Sequence, residues 1–144
     1  MTISNLVTKA ARVVGRYYQR ECAPLGITPP QAGIVWVLSK AGPQTQVEIA
    51  GMLHLEKTNI NAMVKKLVER GIVEMQKVPG DARKTAVCLT RRGKTLSRKL
   101  AQVDERVNSH FMQLMDSELD VAVVQRFLSR VVWMAESGER TSEE

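Results

Sequence analysis

The stretch from Thr45 to Thr90, TQVEIAGMLHLEKTNINAMVKKLVERGIVEMQKVPGDARKTAVCLT, constrains this chain more than any other feature. It sets two short helical patterns around a tight break and follows them with a basic hairpin. Thr45-Gln46-Val47-Glu48 has the form of a capping box, in which the Thr45 hydroxyl accepts an early helical N–H and Glu48 reaches back to the Thr45 N–H. The helix it starts carries apolar Val47, Ile49, Ala50, Met52 and Leu53 and stops near His54-Leu55. A second helix is predicted from Lys57 to Arg70, because Ile60, Met63, Val64, Leu67 and Val68 fall on one face. Its opposite surface holds Lys57, Thr58, Asn59, Asn61, Ala62, Lys65 and Lys66, and Gly71 stands where a C-terminal glycine cap belongs. Ile72 to Val78 and Thr85 to Leu89 are β-prone runs separated by the turn signal Pro79-Gly80-Asp81, with Lys77, Arg83 and Lys84 near the tip.

A helix, a tight break, a second helix and a hairpin make a winged helix-turn-helix. The chemistry of the exposed residues suits DNA. Thr and Asn hydrogen-bond base edges, and Lys meets phosphate or guanine. An Arg carried on a hairpin reaches a narrow minor groove, where the negative potential is enhanced. Residues 57–99 contain twelve Lys and Arg against three acids, a net +9, whereas the whole chain is +6. The remainder is therefore net negative, and the positive charge is gathered into one segment, the footprint of a nucleic-acid binder. Thr45 and Gln46, Lys57, Thr58, Asn59, Asn61, Ala62, Lys65 and Lys66, and Lys77, Asp81, Arg83 and Lys84 are the candidate DNA-binding residues. A merely solvated helix face is the competing reading of the polar surface, and the basic hairpin argues against it.

These segments resemble the MarR family of prokaryotic transcriptional regulators. The resemblance rests on Ile27 to Gln31 (ITPPQ), Thr45 to Leu53 (TQVEIAGML), Lys66 to Val73 (KLVERGIV) and Gly80 to Gly93 (GDARKTAVCLTRRG). The last is the most specific, with Asp81-x-Arg83 in the wing and Leu89-Thr90-x-x-Gly93 opening the next helix. The resemblance implies a mainly α fold with a small β-wing, a winged helix-turn-helix flanked by N- and C-terminal dimerisation helices. In that arrangement 1–24 and 116–144 form the dimerisation helices, 28–90 the winged helix-turn-helix and 90–115 a long linking helix, within one domain spanning 1–144. It implies a homodimer on double-stranded DNA, with Arg83 as the minor-groove contact and Asp81 orienting the wing by pairing with a nearby cation. It also implies release of a repressor by a small phenolic or anionic effector. Two half-sites read from one face lie roughly 10 base pairs, about 34 Å, apart.

The flanks fit that plan. Leu6, Val7, Ala10, Val13, Val14, Tyr17 and Tyr18 recur at helical spacing, predicting a first helix over 4–22. Thr28-Pro29-Pro30-Gln31 is a second capping box, and the apolar run to Lys40 predicts a buried central helix ending at Ala41-Gly42-Pro43. Thr90 caps a long helix expected to reach Met115, with Arg91, Arg92 and Lys94 in its first turn opposing the helix dipole unless a phosphate lies near. Ser117 caps a last helix, and 137–144 is expected to fray. On the helices that line the family's pocket, Arg16, Tyr17, Tyr18 and Trp36 are the candidate ligand-binding residues, against a plain packing role for each.

Composition narrows the remaining options. At 144 residues and 44% apolar content the chain can build a core without disulfides or metal. His54 and His110 lack metal-ligand spacing, and no nucleophile elbow, phosphate loop or zinc-hydrolase helix occurs, so no cofactor, metal or enzymatic activity is expected. The polar N-terminus lacks a secretory pattern, and the longest apolar run, Ala32 to Leu38, falls far short of the ~20 residues a membrane span needs. The protein is expected in the cytoplasm, on the nucleoid. Two alternatives stay open: a protein-interaction module on the same scaffold, and a redox-responsive regulator using Cys22 or Cys88.

Overall fold

The computed structural model describes residues 1–141, with side chains through residue 137. In chain order the elements are α1 (Ile3–Cys22), a 3₁₀ turn (Ala23–Leu25), α2 (Pro29–Ala41), α3 (Gln46–Leu53), α4 (Lys57–Glu69), β1 (Val73–Val78), β2 (Asp81–Leu89), α5 (Arg91–Met112) and α6 (Glu118–Thr141). The fold is mainly α with one two-stranded antiparallel sheet, as the sequence predicts. Two compact units can be distinguished, Met1–Glu105 and Arg106–Glu144.

In the first unit both predicted capping boxes form. Thr28 Oγ1 accepts the Gln31 N–H, and Gln31 Oε1 accepts the Thr28 N–H at 3.2 Å. Thr45 Oγ1 accepts the Glu48 N–H at 3.2 Å, and Glu48 Oε2 accepts the Thr45 N–H at 3.1 Å. The core joins Ile34, Val35, Val37 and Leu38 of α2, Ile49 of α3, Ile60, Val64 and Leu67 of α4, Ile72, Val73 and Val87 of the wing base, and Leu100 and Val103 of α5. Gln44, just ahead of α3, exchanges backbone hydrogen bonds of 3.2 and 2.7 Å with Val87. That bridge ties the entry to the helix pair onto the second strand of the wing.

The join between α4 and the wing explains two sequence motifs. Gly71 is left-handed (φ 69). Its N–H donates to the Val68 carbonyl at 2.9 Å and the next N–H, of Ile72, donates to the Leu67 carbonyl at 2.9 Å, so the last carbonyls of α4 are satisfied. The Leu89-Thr90-x-x-Gly93 motif closes on the same place. The Thr90 N–H donates to the Ile72 carbonyl at 3.1 Å, and the Thr90 hydroxyl donates to the Gly71 carbonyl at 2.6 Å. The hydroxyl oxygen also accepts the Gly93 N–H at 3.1 Å, capping α5. A Cβ on Gly93 would lie 2.1 Å from the Ile72 carbonyl oxygen, so only glycine permits this approach.

In the second unit Ser117 Oγ accepts the Asp120 N–H at 3.2 Å and caps α6. Along α6, Leu119, Val123, Phe127 and Val131 form one exposed row at four-residue spacing, and Val124, Leu128 and Val132 form the row beside it.

Four sequence expectations are corrected. Helix α5 ends at Met112 and gives way to turn hydrogen bonds, because the exposed Leu114 contributes nothing to its buried stripe. Helix α6 continues to Thr141 rather than fraying from Ser137, since the residues leading out, Met134, Ala135 and Glu136, favour helix; 142–144 lie outside the described residues. Trp36 in the central helix is 54% exposed, because it faces away from the packed side of α2. Strand β2 begins at Asp81 rather than Thr85, with the irregular register described next.

Candidate nucleic-acid interface

Helix α3 is short because His54 adopts a left-handed conformation (φ 52) and the Leu55 N–H folds back to the Ala50 carbonyl at 3.1 Å. Three residues then separate α3 from α4, the tight break of a helix-turn-helix. In α4 the apolar stripe turns inward through Ile60, Val64 and Leu67, with Met63 half-buried and Val68 left exposed. Lys57, Thr58, Asn59, Asn61, Ala62, Lys65 and Lys66 are all exposed. Helix α4 has no side-chain cap and no acid in its first turn. Its first N–H groups and Lys57 stand beside the carboxylate of the exposed N-cap residue Glu56.

The wing has a built-in irregularity. Regular antiparallel pairs run from Val73–Leu89 to Lys77–Thr85, and the next pair is Val78–Asp81. No residue intervenes between 77 and 78, whereas 82–84 intervene between 81 and 85. These residues bow out of the ladder, and both Arg83 and Lys84 on the bow are exposed, as is Lys77 on β1. Asp81 holds the bow through the backbone: its Oδ1 accepts the Arg83 N–H at 3.1 Å. The carboxylate thus orients the wing through an amide, rather than through the side-chain cation expected of it.

Not every residue singled out from sequence is free to meet a ligand. Thr45 and Gln46 are half-buried, and the Thr45 hydroxyl is engaged in its capping box. Arg70, counted with the basic segment, donates from Nη1 to the Gly26 carbonyl and braces the end of α4 against the 3₁₀ turn. At the start of α5, Arg91, Arg92 and Lys94 are exposed.

A cavity of about 670 Å³ lies between α1, α2 and α5. Tyr18 and Trp36 line it, but Arg16 and Tyr17 do not, because Gly15, Tyr18 and Cys22 are the α1 positions that share the facing side. Sequence reasoning missed Lys40, Arg98 and Asp104, which line it too. The available signal was the spacing of Ser97, Ala101 and Asp104 on α5, one helical face beside the apolar one. At the cavity wall, Asp104 Oδ1 accepts the Tyr18 hydroxyl proton. Burial, this hydrogen bond and the carboxylate charge together hold the Tyr18 phenol well above its ordinary range.

Both cysteines are buried and free. Burial pushes the Cys22 thiol up, assisted by Glu21, and pushes the Cys88 thiol up, assisted by Glu74. A redox switch needs an accessible thiolate, and these environments disfavour one. Among the described residues, no three His, Cys, Asp or Glu side chains gather as a metal site, and no helix is long and apolar enough to cross a membrane.

Comparison with known proteins agrees with this geometry. The HTH-type transcriptional regulator YwoH of Bacillus subtilis is 28% identical over 85 residues, 59% of this chain and 61% of the relative. The HTH-type transcriptional repressor NicR of Pseudomonas putida is 28% identical over 94 residues, 65% of this chain and 60% of the relative. The chain thus spans about three fifths of the length of the curated relatives it matches. A cysteine-to-serine mutant of Escherichia coli MarR, complexed with operator DNA, superposes with a TM-score of 0.81 at 24% identity, covering 90% of this chain and 92% of that one. The sequence model of the MarR family matches residues 27–85, from the start of α2 through the helix-turn-helix and into the second strand of the wing. Over that segment and in its winged-helix architecture, the chain is similar to the MarR family.

Proposed function

We propose that this chain is a sequence-specific, DNA-binding transcriptional regulator that acts as a homodimer and represses a pseudo-palindromic operator. The observation that carries the reading is the exposed, cationic, amide-rich face of α4, followed by a wing whose bow leaves Arg83 and Lys84 exposed. Thr58, Asn59, Asn61 and Ala62 offer hydrogen bonds and small apolar contacts to base edges in the major groove. Lys57, Lys65 and Lys66 meet phosphates, as do Arg91, Arg92 and Lys94, whose unfavourable position at a helix N-terminus a phosphate offsets. Arg83 enters the adjacent minor groove, flanked by Lys77 and Lys84 on the backbone. Thr45 and Gln46 lie at the start of α3, where the leading helix of such a pair crosses the backbone.

Dimerisation follows from the exposed apolar rows of α6 and from Ile3, Leu6 and Val13 on α1, which a soluble monomer would leave wet. A second copy covers them and sets two α4 helices one DNA turn apart. The operator-bound MarR and the repressor NicR support the DNA partner and the direction of regulation. The cavity between α1, α2 and α5 falls within the size range of small-molecule sites and suits a small aromatic effector that releases the DNA. The workplace of such a protein is the cytoplasmic nucleoid.

Selection of bound sequences from random duplex DNA at about 150 mM salt tests this reading. The expected product is a two-fold symmetric motif of roughly 20 base pairs with half-sites about 10 base pairs apart. Affinity for it falls steeply with salt, since each phosphate contact releases counterions. A folded dimer that enriches no motif, or whose binding ignores salt, would overturn it.

A further inference from the structure

The cavity beside Trp36 has two chemically different ends. On α5, Arg98 and Asp104 both line it, six residues and therefore about 9 Å apart along the helix axis. The orientation of α2 follows from a second cleft, of about 640 Å³, which shares Ser39, Ser97 and Arg98 with the first and also takes in Gly42. The C-terminal end of α2 therefore lies at the Arg98 end, and Lys40 joins Arg98 there. At the other end Asp104 offers a carboxylate that already accepts a hydroxyl proton from Tyr18. Between the two ends lie mainly apolar groups, with Trp36 as a flat wall and Gly33 leaving room beside it. One end of the cavity thus attracts an anion, and the other attracts a cation.

We propose that the ligand of this cavity is a zwitterionic aromatic molecule, with its acid at Arg98 and Lys40, its ring on Trp36 and an ammonium group on Asp104 in place of the Tyr18 hydroxyl. This rests on the reading of the cavity as an effector site and goes beyond the phenolic or anionic ligand that the family resemblance implies, by requiring both ends at once. A ligand with an acid alone leaves the Tyr18–Asp104 hydrogen bond in place and gains nothing from the carboxylate, whereas a ligand that also carries a cation gains a charge-assisted hydrogen bond there. Displacing Tyr18 breaks the hydrogen bond that links α1 to α5 across 86 positions of sequence. The acid end sits on the residue shared with the cleft beside Glu74 and Gln76 of β1, next to the base of the wing. The ligand thereby touches both the α1–α5 tie and the wing support.

Calorimetric titration of the full chain, without DNA, tests the assignment using three probes: 4-(aminomethyl)benzoate, benzoate and benzylamine. The expected result is that 4-(aminomethyl)benzoate binds more tightly than either single-ended probe by about fivefold or more, the scale of one charge-assisted hydrogen bond near solvent. In Asp104→Asn that preference collapses to the benzoate level, while benzoate itself binds as before. In Tyr18→Phe the competing donor is gone, and 4-(aminomethyl)benzoate binds more tightly than to the native chain. Circular dichroism establishes that both variants are folded. Benzoate binding as tightly as the zwitterionic probe, a weakened Tyr18→Phe, or no heat from any of the three would overturn the proposal. Because DNA is absent, such a failure leaves the operator reading untouched, whereas a chain that binds the probe but selects no operator would fail that reading alone.

Discussion

Single residues in this protein divide between those that hold the frame and those left to meet a partner. Arg70 and Arg83 are both arginines of the basic segment, but one braces the Gly26 carbonyl and the other is exposed on the wing. Arg83→Ala should therefore leave the thermal midpoint unchanged and weaken operator binding by about 1–3 kcal/mol, read by fluorescence anisotropy. An unchanged affinity would mean that the wing is not engaged. Gly93 belongs to the frame. Its alanine variant would drive a Cβ onto the Ile72 carbonyl oxygen, 2.1 Å away, and backbone there cannot yield cheaply. Urea unfolding should show Gly93→Ala destabilised by about 1–3 kcal/mol or more, the scale of overpacking. The glycine is plain in the sequence as part of a motif, but its reason is not. The clash arises between residues 21 positions apart, and no local pattern encodes that approach.

Elements are legible where their signals are local. The two capping boxes, the 3,1,3,1 stripe of α4 and the Gly71 cap all depend on contacts within five residues, and each forms at the predicted place, except that Val68 at the end of the stripe is exposed. Thr45→Ala removes the box that starts α3 and should lower stability by about 1 kcal/mol, seen as a lower urea midpoint at constant slope. A midpoint equal to that of the native chain would show that tertiary packing alone starts the helix. The start of β2 escapes the sequence because alternation in Thr85 to Leu89 looks like the whole strand. The ladder in fact resumes at Asp81, beyond a bow that the Asp81 carboxylate stabilises, and a side-chain-to-backbone bond of that kind has no hydrophobic signature. The end of α5 falls short of its apolar pattern because Leu114 continues the spacing without being buried.

At the scale of the molecule, the feature that a single chain leaves unresolved is the apolar face of α6. Phe127 is 39% exposed, in line with Leu119, Val123 and Val131. If a second copy covers that face, Phe127→Glu places a charge in the interface without disturbing the interior of its own chain. Sedimentation should then shift from dimer to monomer with the helical circular dichroism retained. Operator affinity should fall by more than about tenfold, because one half-site holds far less binding energy than two. A variant that remains dimeric would assign the face to another partner.

The sequence by itself determined the order of helices, the helix-turn-helix, the basic wing and the polar surface of α4. Hydrophobic period, caps and turn residues act over a few positions, and charge can be counted without coordinates. The tertiary structure decided which of those residues are spent. It assigned Arg70 to the frame, made Gly93 indispensable and turned Asp81 toward an amide. It also brought Tyr18 against Asp104 and put Trp36 rather than Arg16 or Tyr17 on the cavity wall. Each of these depends on where one backbone passes another. Such approaches are set by the packing of α1, α2, α4 and α5 around the shared core, and packing of distant segments leaves no periodic trace along the chain.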